Sequence, residues 1–282
     1  MLTIPAPAKL NLTLEVLARR PDGYHEIRSV IQTVSLCDRL TFRASQSVDI
    51  RSDLPEWSPE KSLVSRTVNL VRETMGVNKG IAIEVENHIP LISGLGGDSS
   101  AAAATLRGLN EIWKLDLPEA RLLELAAQLG SDVPFFLYGG TALAEGRGEV
   151  VTQLPPFPHH WVVLVMPNVP RPPGKTARLY ASLNASHFTD GHITEQLVKE
   201  LKEGKEPSVF FNTFENVAFA SGSELKVYRD HIRKLGAPHV HLAGSGPALF
   251  TLLKDKTKAE ELFTRCKQQN METYLVETVQ PQ

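Results

Sequence analysis

From Ala8 to Val16 the apolar side chains of Ala8, Leu10, Leu12, Leu14 and Val16 alternate with Lys9, Asn11, Thr13 and Glu15. A period of two belongs to a half-buried strand, and it places Lys9 and Asn11 together on the polar face. Pro21-Asp22-Gly23 carries turn chemistry, since proline presets φ and glycine accepts positive φ, so Tyr24 and His25 stand just past a turn. Strands are expected over residues 29–34 and 39–42, then a helix over about 61–73 that stops at Gly76. Ile81, Ile83 and Val85 mark another strand, followed by a bend at Asn87-His88-Ile89-Pro90, a glycine-rich loop and an alanine-rich helix over 100–113.

A further helix opens with Pro118, which suits a first turn, and ends near Gly130, which suits a C-terminal cap. Prolines 155, 156 and 158 interrupt the pattern before the apolar strand 161–166 and divide the chain into expected domains 1–154 and 155–282. Beyond that strand come a loop through Arg171-Pro172-Pro173-Gly174, helices over 194–203 and 223–235, and strands around Val240 and Leu249. A helix over 257–268 and a strand around Tyr274 close a mixed α and β pattern that holds no repeats and no low-complexity tail.

Composition narrows the class of partner. With 30 Lys plus Arg against 32 Asp plus Glu, a net charge of -2 gives no broad attraction to nucleic acid or to an anionic membrane, and a small molecule fits better. Cys37 and Cys266 form no CxxC pair and suit structural thiols in a reducing cytosol. The N-terminus lacks a basic stretch followed by an apolar run, and no stretch of about 18 apolar residues occurs, so a cytoplasmic, non-membrane location is expected.

The segment Pro90-Leu91-Ile92-Ser93-Gly94-Leu95-Gly96-Gly97-Asp98-Ser99-Ser100 lies between a strand and a helix start. Exposed backbone N–H groups and the helix dipole favour an anion there, and glycines let phosphates approach the chain closely. It is not a Walker A loop, which needs Gly-Lys-Ser/Thr at its end, and it lacks the third glycine of a dinucleotide fingerprint. An ordinary loop with Ser99 or Ser100 as N-cap is the competing reading; the paired serines favour phosphate or metal. Gly244-Ser245-Gly246 follows a strand and reads either as a second close backbone approach or as a tight turn.

Phosphoryl transfer to an alcohol needs positioning, charge neutralisation and a carboxylate that accepts the hydroxyl proton. In Gly130-Ser131-Asp132-Val133-Pro134-Phe135-Phe136, Asp132 is a lone acid beside an apolar run, where partial burial calls for a cationic partner such as Lys9. Taken singly, Asp132 also reads as a helix cap and Lys9 as part of a solvated strand face.

These motifs resemble the GHMP kinase superfamily, which includes galactokinase, homoserine kinase, mevalonate kinase and phosphomevalonate kinase. Within it the likeness is to members that phosphorylate 4-diphosphocytidyl-2-C-methyl-D-erythritol in the non-mevalonate isoprenoid pathway. It rests on Pro7-Ala8-Lys9-Leu10-Asn11-Leu12, Asp22-Gly23-Tyr24-His25, residues 94–100, the Asp132 segment, Gly146-Arg147-Gly148-Glu149 and Gly244-Ser245-Gly246. The resemblance implies an α+β, two-domain GHMP kinase fold, with an N-terminal ribosomal-protein-S5-domain-2-like part and a C-terminal ferredoxin-like part. It implies ATP as cosubstrate with Mg2+, no nucleic acid or membrane partner, and a monomer or weak homodimer.

By the same resemblance Asp132 deprotonates the C2 hydroxyl and Lys9 neutralises and orients the carboxylate and phosphates. Asn11 fixes the substrate, Tyr24 and His25 contact the cytosine, and Tyr180 matches a second aromatic that sandwiches the base. An aromatic face stacks on a base, and imidazole can hydrogen-bond its edge. Metal ligands are left open. Asp98 and Ala101 depart from the glycine and asparagine frequent in the family; Asp98 is expected as a helix-start cap or a solvent-facing group rather than a magnesium ligand.

Overall fold

The computed structural model describes residues 1–55, 57–172 and 174–281. In chain order the main elements are β1 (Leu2–Asn11), β2 (Thr13–Arg19), β3 (His25–Ser45), β4 (Val48–Ser52), α1 (Leu63–Met75), β5 (Gly80–Glu86), α2 (Gly97–Ile112), α3 (Glu119–Leu129) and α4 (Val133–Tyr138). They continue as β6 (Thr141–Gly146), β7 (Val150–Gln153), β8 (Trp161–Met166), α5 (Lys175–Ser182), α6 (His192–Lys202), β9 (Phe211–Asn212), α7 (Glu215–Ala218), α8 (Glu224–Lys234), β10 (His241–Leu242), β11 (Leu249–Leu253), α9 (Lys256–Gln268) and β12 (Glu272–Glu277).

The chain folds into two compact units that interleave along the sequence. One comprises Met1–Ala8, Leu36–Pro90 and Gly96–Gly139; the other comprises Lys9–Ser35, Leu91–Leu95 and Gly140–Gln282. In the first, the later half of β3 pairs antiparallel with β5, from Arg39↔Glu86 to Ser45↔Gly80, and β5 pairs parallel with β4. Leu40, Phe42, Ile81 and Ile83 point inward, and α1 packs on α2. The helix α1 begins where the Ser62 side chain accepts from Ser65 N and ends at Gly76 in the left-handed region, as its sequence signals indicate.

In the second unit the early half of β3 lies between β2 and β6, from Glu15↔Arg28 on one side and Ile27↔Gly146 on the other. A separate antiparallel sheet runs β10-β11-β8-β12. With α5 to α8 following β8 and α9 preceding β12, this is the βαββαβ order of a ferredoxin-like layer. Val163, Val165, Leu249, Leu262 and Cys266 fill its core.

Three expectations change. The alternating run 8–16 is broken at Leu12 into two strands, and the strands expected at 29–34 and 39–42 are one continuous β3. The polar side of the run is not solvated: Lys9, Asn11, Thr13 and Glu15 are all buried, so the strand is covered on both faces. The short elements β4, β6, β7, α4 and α5 were not legible, because four to eight residues hold too few periods to register. The expected loop at 171–174 includes Pro173, which lies outside the described residues.

Candidate active site

Lys9, at the end of β1, is 4 % exposed, and its Nζ donates to Asn11 Oδ1 at 2.7 Å. Asn11 Nδ2 in turn donates to Ser29 Oγ at 2.8 Å, and Ser29 Oγ donates to Thr13 O at 2.5 Å. A buried ammonium is thus held by a relay of neutral groups running from β1 into β2 and β3. Such a relay fixes a cation that would otherwise sweep through many rotamers.

The two glycine segments come together in this unit. A Cβ on Gly94, whose φ is +87°, would lie 2.1 Å from Ala243 O and 2.8 Å from Gly246 N, so no side chain can be placed there. Ala248 N donates to Ser93 O at 3.1 Å, and Lys9 N donates to Leu95 O at 2.8 Å. Gly244 sits against the same lysine: a Cβ there would be 3.2 Å from Lys9 Nζ and 3.3 Å from Asn11 Oδ1. Asn212 Nδ2 ties the second turn down by donating to Leu242 O and Gly244 O. Of the expected phosphate residues, those from Leu91 to Leu95 therefore lie with Gly244, Ser245, Gly246, Lys9 and Asn11.

Gly96, Gly97, Asp98, Ser99 and Ser100 continue into the first turn of α2, in the other unit, and Pro90 closes the preceding segment. The N-cap is Gly96 in the left-handed region with no side-chain cap bond, so neither serine caps the helix. Ser100 Oγ is buried with no hydrogen-bond partner among the described residues, an orphan that suits a ligand at the helix N-terminus. Asp98 faces solvent, as expected, and is not the cap. Asp132 occupies the N-cap position of α4, half-buried, yet its side chain makes no cap bond.

The residues expected to contact the base, Tyr24, His25 and Tyr180, all lie in the second unit. Asp22 Oδ1 accepts from Tyr24 N at 3.0 Å and Gly23, at φ +87°, completes the turn, which leaves Tyr24 53 % exposed. The Arg147 guanidinium lies 4.7 Å over the Tyr24 ring, and Arg147 is itself held by Glu149. His25 stacks on Tyr180 with ring centroids 4.7 Å apart and 18° between planes, and Phe214 meets the other ring edge-on. At that separation no base fits between His25 and Tyr180; they form one wall. Burial, with Arg19 adding to it, holds His25 below the ordinary histidine value.

Two groups escaped the sequence reading. Asp38 is 2 % exposed, accepts from His88 N at 2.7 Å and Ile89 N at 2.8 Å, and so anchors the bend before the loop. Burial pushes its carboxyl above the usual range. Its signal was a lone acid between the apolar Leu36 and Leu40. Lys175, at the start of α5, was hidden behind the prolines at 172 and 173.

A glycine segment braced by a second glycine turn beside a buried lysine suits a phosphotransferase of the GHMP class. The GHMP kinases N terminal domain matches residues 62–140, and the GHMP kinases C terminal domain matches residues 194–272. The chain is 51 % identical over 282 residues to a 4-diphosphocytidyl-2-C-methyl-D-erythritol kinase of Dehalococcoides mccartyi, covering 100 % of this chain and 99 % of that one. A crystal structure of 4-(cytidine 5'-diphospho)-2C-methyl-D-erythritol kinase superposes with a TM-score of 0.83 at 33 % identity, over 98 % of this chain and 99 % of the other. Homoserine kinase from Cytophaga hutchinsonii shares the fold at a TM-score of 0.70 and 19 % identity, over 99 % and 95 % of the two chains.

The chain belongs to the 4-diphosphocytidyl-2-C-methyl-D-erythritol kinase family. It has the two-domain α+β fold expected of GHMP kinases, and that family membership makes ATP its cosubstrate. Among the described residues no helix is long and apolar enough to cross a membrane.

Proposed function

We propose that this kinase transfers the γ-phosphoryl group of ATP to the 2-hydroxyl of 4-diphosphocytidyl-2-C-methyl-D-erythritol, giving the 2-phosphate and ADP in the non-mevalonate route to isoprenoid precursors. The observation that carries the choice of alcohol is the Asp22-Gly23-Tyr24-His25 turn, which presents an exposed aromatic face beside the His25–Tyr180 wall. A homoserine or mevalonate acceptor offers nothing for those rings to stack on. A pyrimidine does, with Tyr24 as stacking face and the neutral His25 imidazole bonding its edge.

In this reading Asp132 accepts the hydroxyl proton as the substrate oxygen bonds to the γ-phosphorus and the bond to the β-γ bridging oxygen breaks. Lys9, steadied by Asn11, neutralises charge on the phosphates. Backbone N–H groups from Leu91 and Ile92 through Ser100, a segment that Pro90 leads into, with the Gly244–Gly246 turn, cradle the triphosphate. Mg2+ bound to the nucleotide would supply further charge neutralisation, and the hydroxyls of Ser99 and Ser100 are the loop groups suited to it. Two domains, 1–154 and 155–282, would each carry one matched family segment, in a cytoplasmic monomer or weak homodimer.

A coupled ADP-release assay tests this. ADP should appear only with ATP, magnesium and the cytidylyl alcohol, and EDTA should stop it. Equal turnover of homoserine or mevalonate would overturn the choice of acceptor, and ATP binding without transfer to any alcohol would leave a non-catalytic nucleotide binder.

A further inference from the structure

The first turn of α5 grips a single residue of the second glycine turn twice. Lys175 Nζ donates to Ser245 O at 2.6 Å, and Thr176 Oγ1 lies 2.8 Å from Ser245 Oγ. The fit is close, since a Cβ on Gly246 would stand 3.3 Å from Lys175 Nζ and 2.5 Å from Leu242 Cδ1. Just upstream, the Arg171 guanidinium donates to Leu91 O at 3.3 Å, at the start of the other glycine segment. The same helix carries Tyr180, stacked on His25. One short helix therefore touches the base wall at its far end and the second glycine turn at its near end, while Arg171, upstream of the helix, reaches the first glycine segment.

A lysine on a surface helix normally extends its ammonium into water. Lys175 does the opposite and folds back onto a carbonyl. Burial, with Arg171 adding to it, holds it down at about 8. Arg171 is partly balanced by Glu272 of β12 at 3.9 Å, and Lys9 Nζ lies beside Gly244 of the same turn; among the described residues no carboxylate acts on Lys175 itself. Keeping a desolvated cation at a turn has a cost, and an ammonium with one N–H on Ser245 retains two donors that can face an anion.

We propose that Lys175, with Thr176, is a positioning residue that latches the Gly244–Gly246 turn to the helix bearing Tyr180, so that seating the cytidine base sets the nucleotide turn. The inference rests on the base and phosphate assignments made above. Its consequence is thermodynamic: each ligand should tighten the other by the same factor.

The test measures affinity for a non-hydrolysable ATP analogue with and without the cytidylyl alcohol. The wild type, Lys175→Met, Lys175→Arg and Thr176→Val are compared after their folds are checked by circular dichroism. In the wild type the alcohol should tighten nucleotide binding by several-fold. Lys175→Met should erase most of that factor and weaken nucleotide binding about tenfold, the scale of one charge-assisted hydrogen bond. Lys175→Arg should restore it.

The wild-type coupling should also fade as pH rises through about 8, as the ammonium is lost, and persist in Lys175→Arg. Unchanged coupling and an unchanged pH profile in Lys175→Met would overturn the latch while leaving the kinase reading intact. Failure of the wild type to turn over the cytidylyl alcohol would instead remove the reading beneath it.

Discussion

By its alternation Lys9 belongs on a wet strand face, yet it is buried with its ammonium on Asn11 Oδ1, and that inversion is what gives it a fixed position. Removing the acceptor should therefore be felt as stability as well as rate. Asn11→Leu is expected to lower folding stability by about 1–3 kcal/mol, read by urea unfolding, because two buried hydrogen bonds lose a partner. Asp132→Asn should behave differently. Only the proton acceptor is lost while the side chain's shape is kept, so turnover should fall by orders of magnitude, about 10²-fold or more, with the fold intact by circular dichroism. Near-normal turnover would take Asp132 out of the mechanism. For His25, burial depresses protonation, so the imidazole stays neutral below the pH at which a free histidine charges. The KM for the cytidylyl alcohol should stay flat through that range and climb only in more acidic buffer, with the climb absent in His25→Gln.

Among the elements, α2 shows how closely a helix is fitted against the strand beneath it. A Cβ on Gly108 would come 2.6 Å from Phe42 Cζ, and Phe42 is fully buried in β3. Gly108→Ala should cost about 1–3 kcal/mol through overpacking despite the better helix propensity of alanine, and a lowered Tm would register it. Gly94→Ala meets backbone oxygen rather than a movable side chain, so the two glycine turns must separate. Nucleotide binding is expected to disappear, measured by calorimetry. An unaltered affinity would show that the two turns do not form one cradle. The sequence marked α1, α2, α3 and α9 through their periodicity and caps, and it marked the glycine segments. It left α5 and α4 unseen, because a helix of six or eight residues lacks enough turns to declare a face.

At the scale of the whole molecule, pH reports on a carboxyl that the fold keeps dry. Asp38 titrates above its ordinary value, so the folded state holds its proton to higher pH than the unfolded state does. Stability must then fall as pH rises through the interval just above that ordinary value. Asp38→Asn, which keeps an oxygen for His88 N and Ile89 N, should be relatively more stable at pH 7 than at pH 4 when compared with wild type. An equal Tm difference at both values would show that Asp38 is not desolvated.

By itself the sequence determined the family, the class of reaction and the glycine segments. The glycine segments follow from local chemistry, turn residues and the need of phosphates for bare backbone, while the family and the reaction class follow from the resemblance that the short motifs carry. It could not decide that Lys9 is buried, that Gly94 lies against Ala243, that His25 pairs with Tyr180 or that Lys175 reaches Ser245. The last three join residues far apart in the chain, and the burial of Lys9 depends on the elements that cover its strand; only the packed tertiary structure brings such groups together while excluding the water that would otherwise occupy their place.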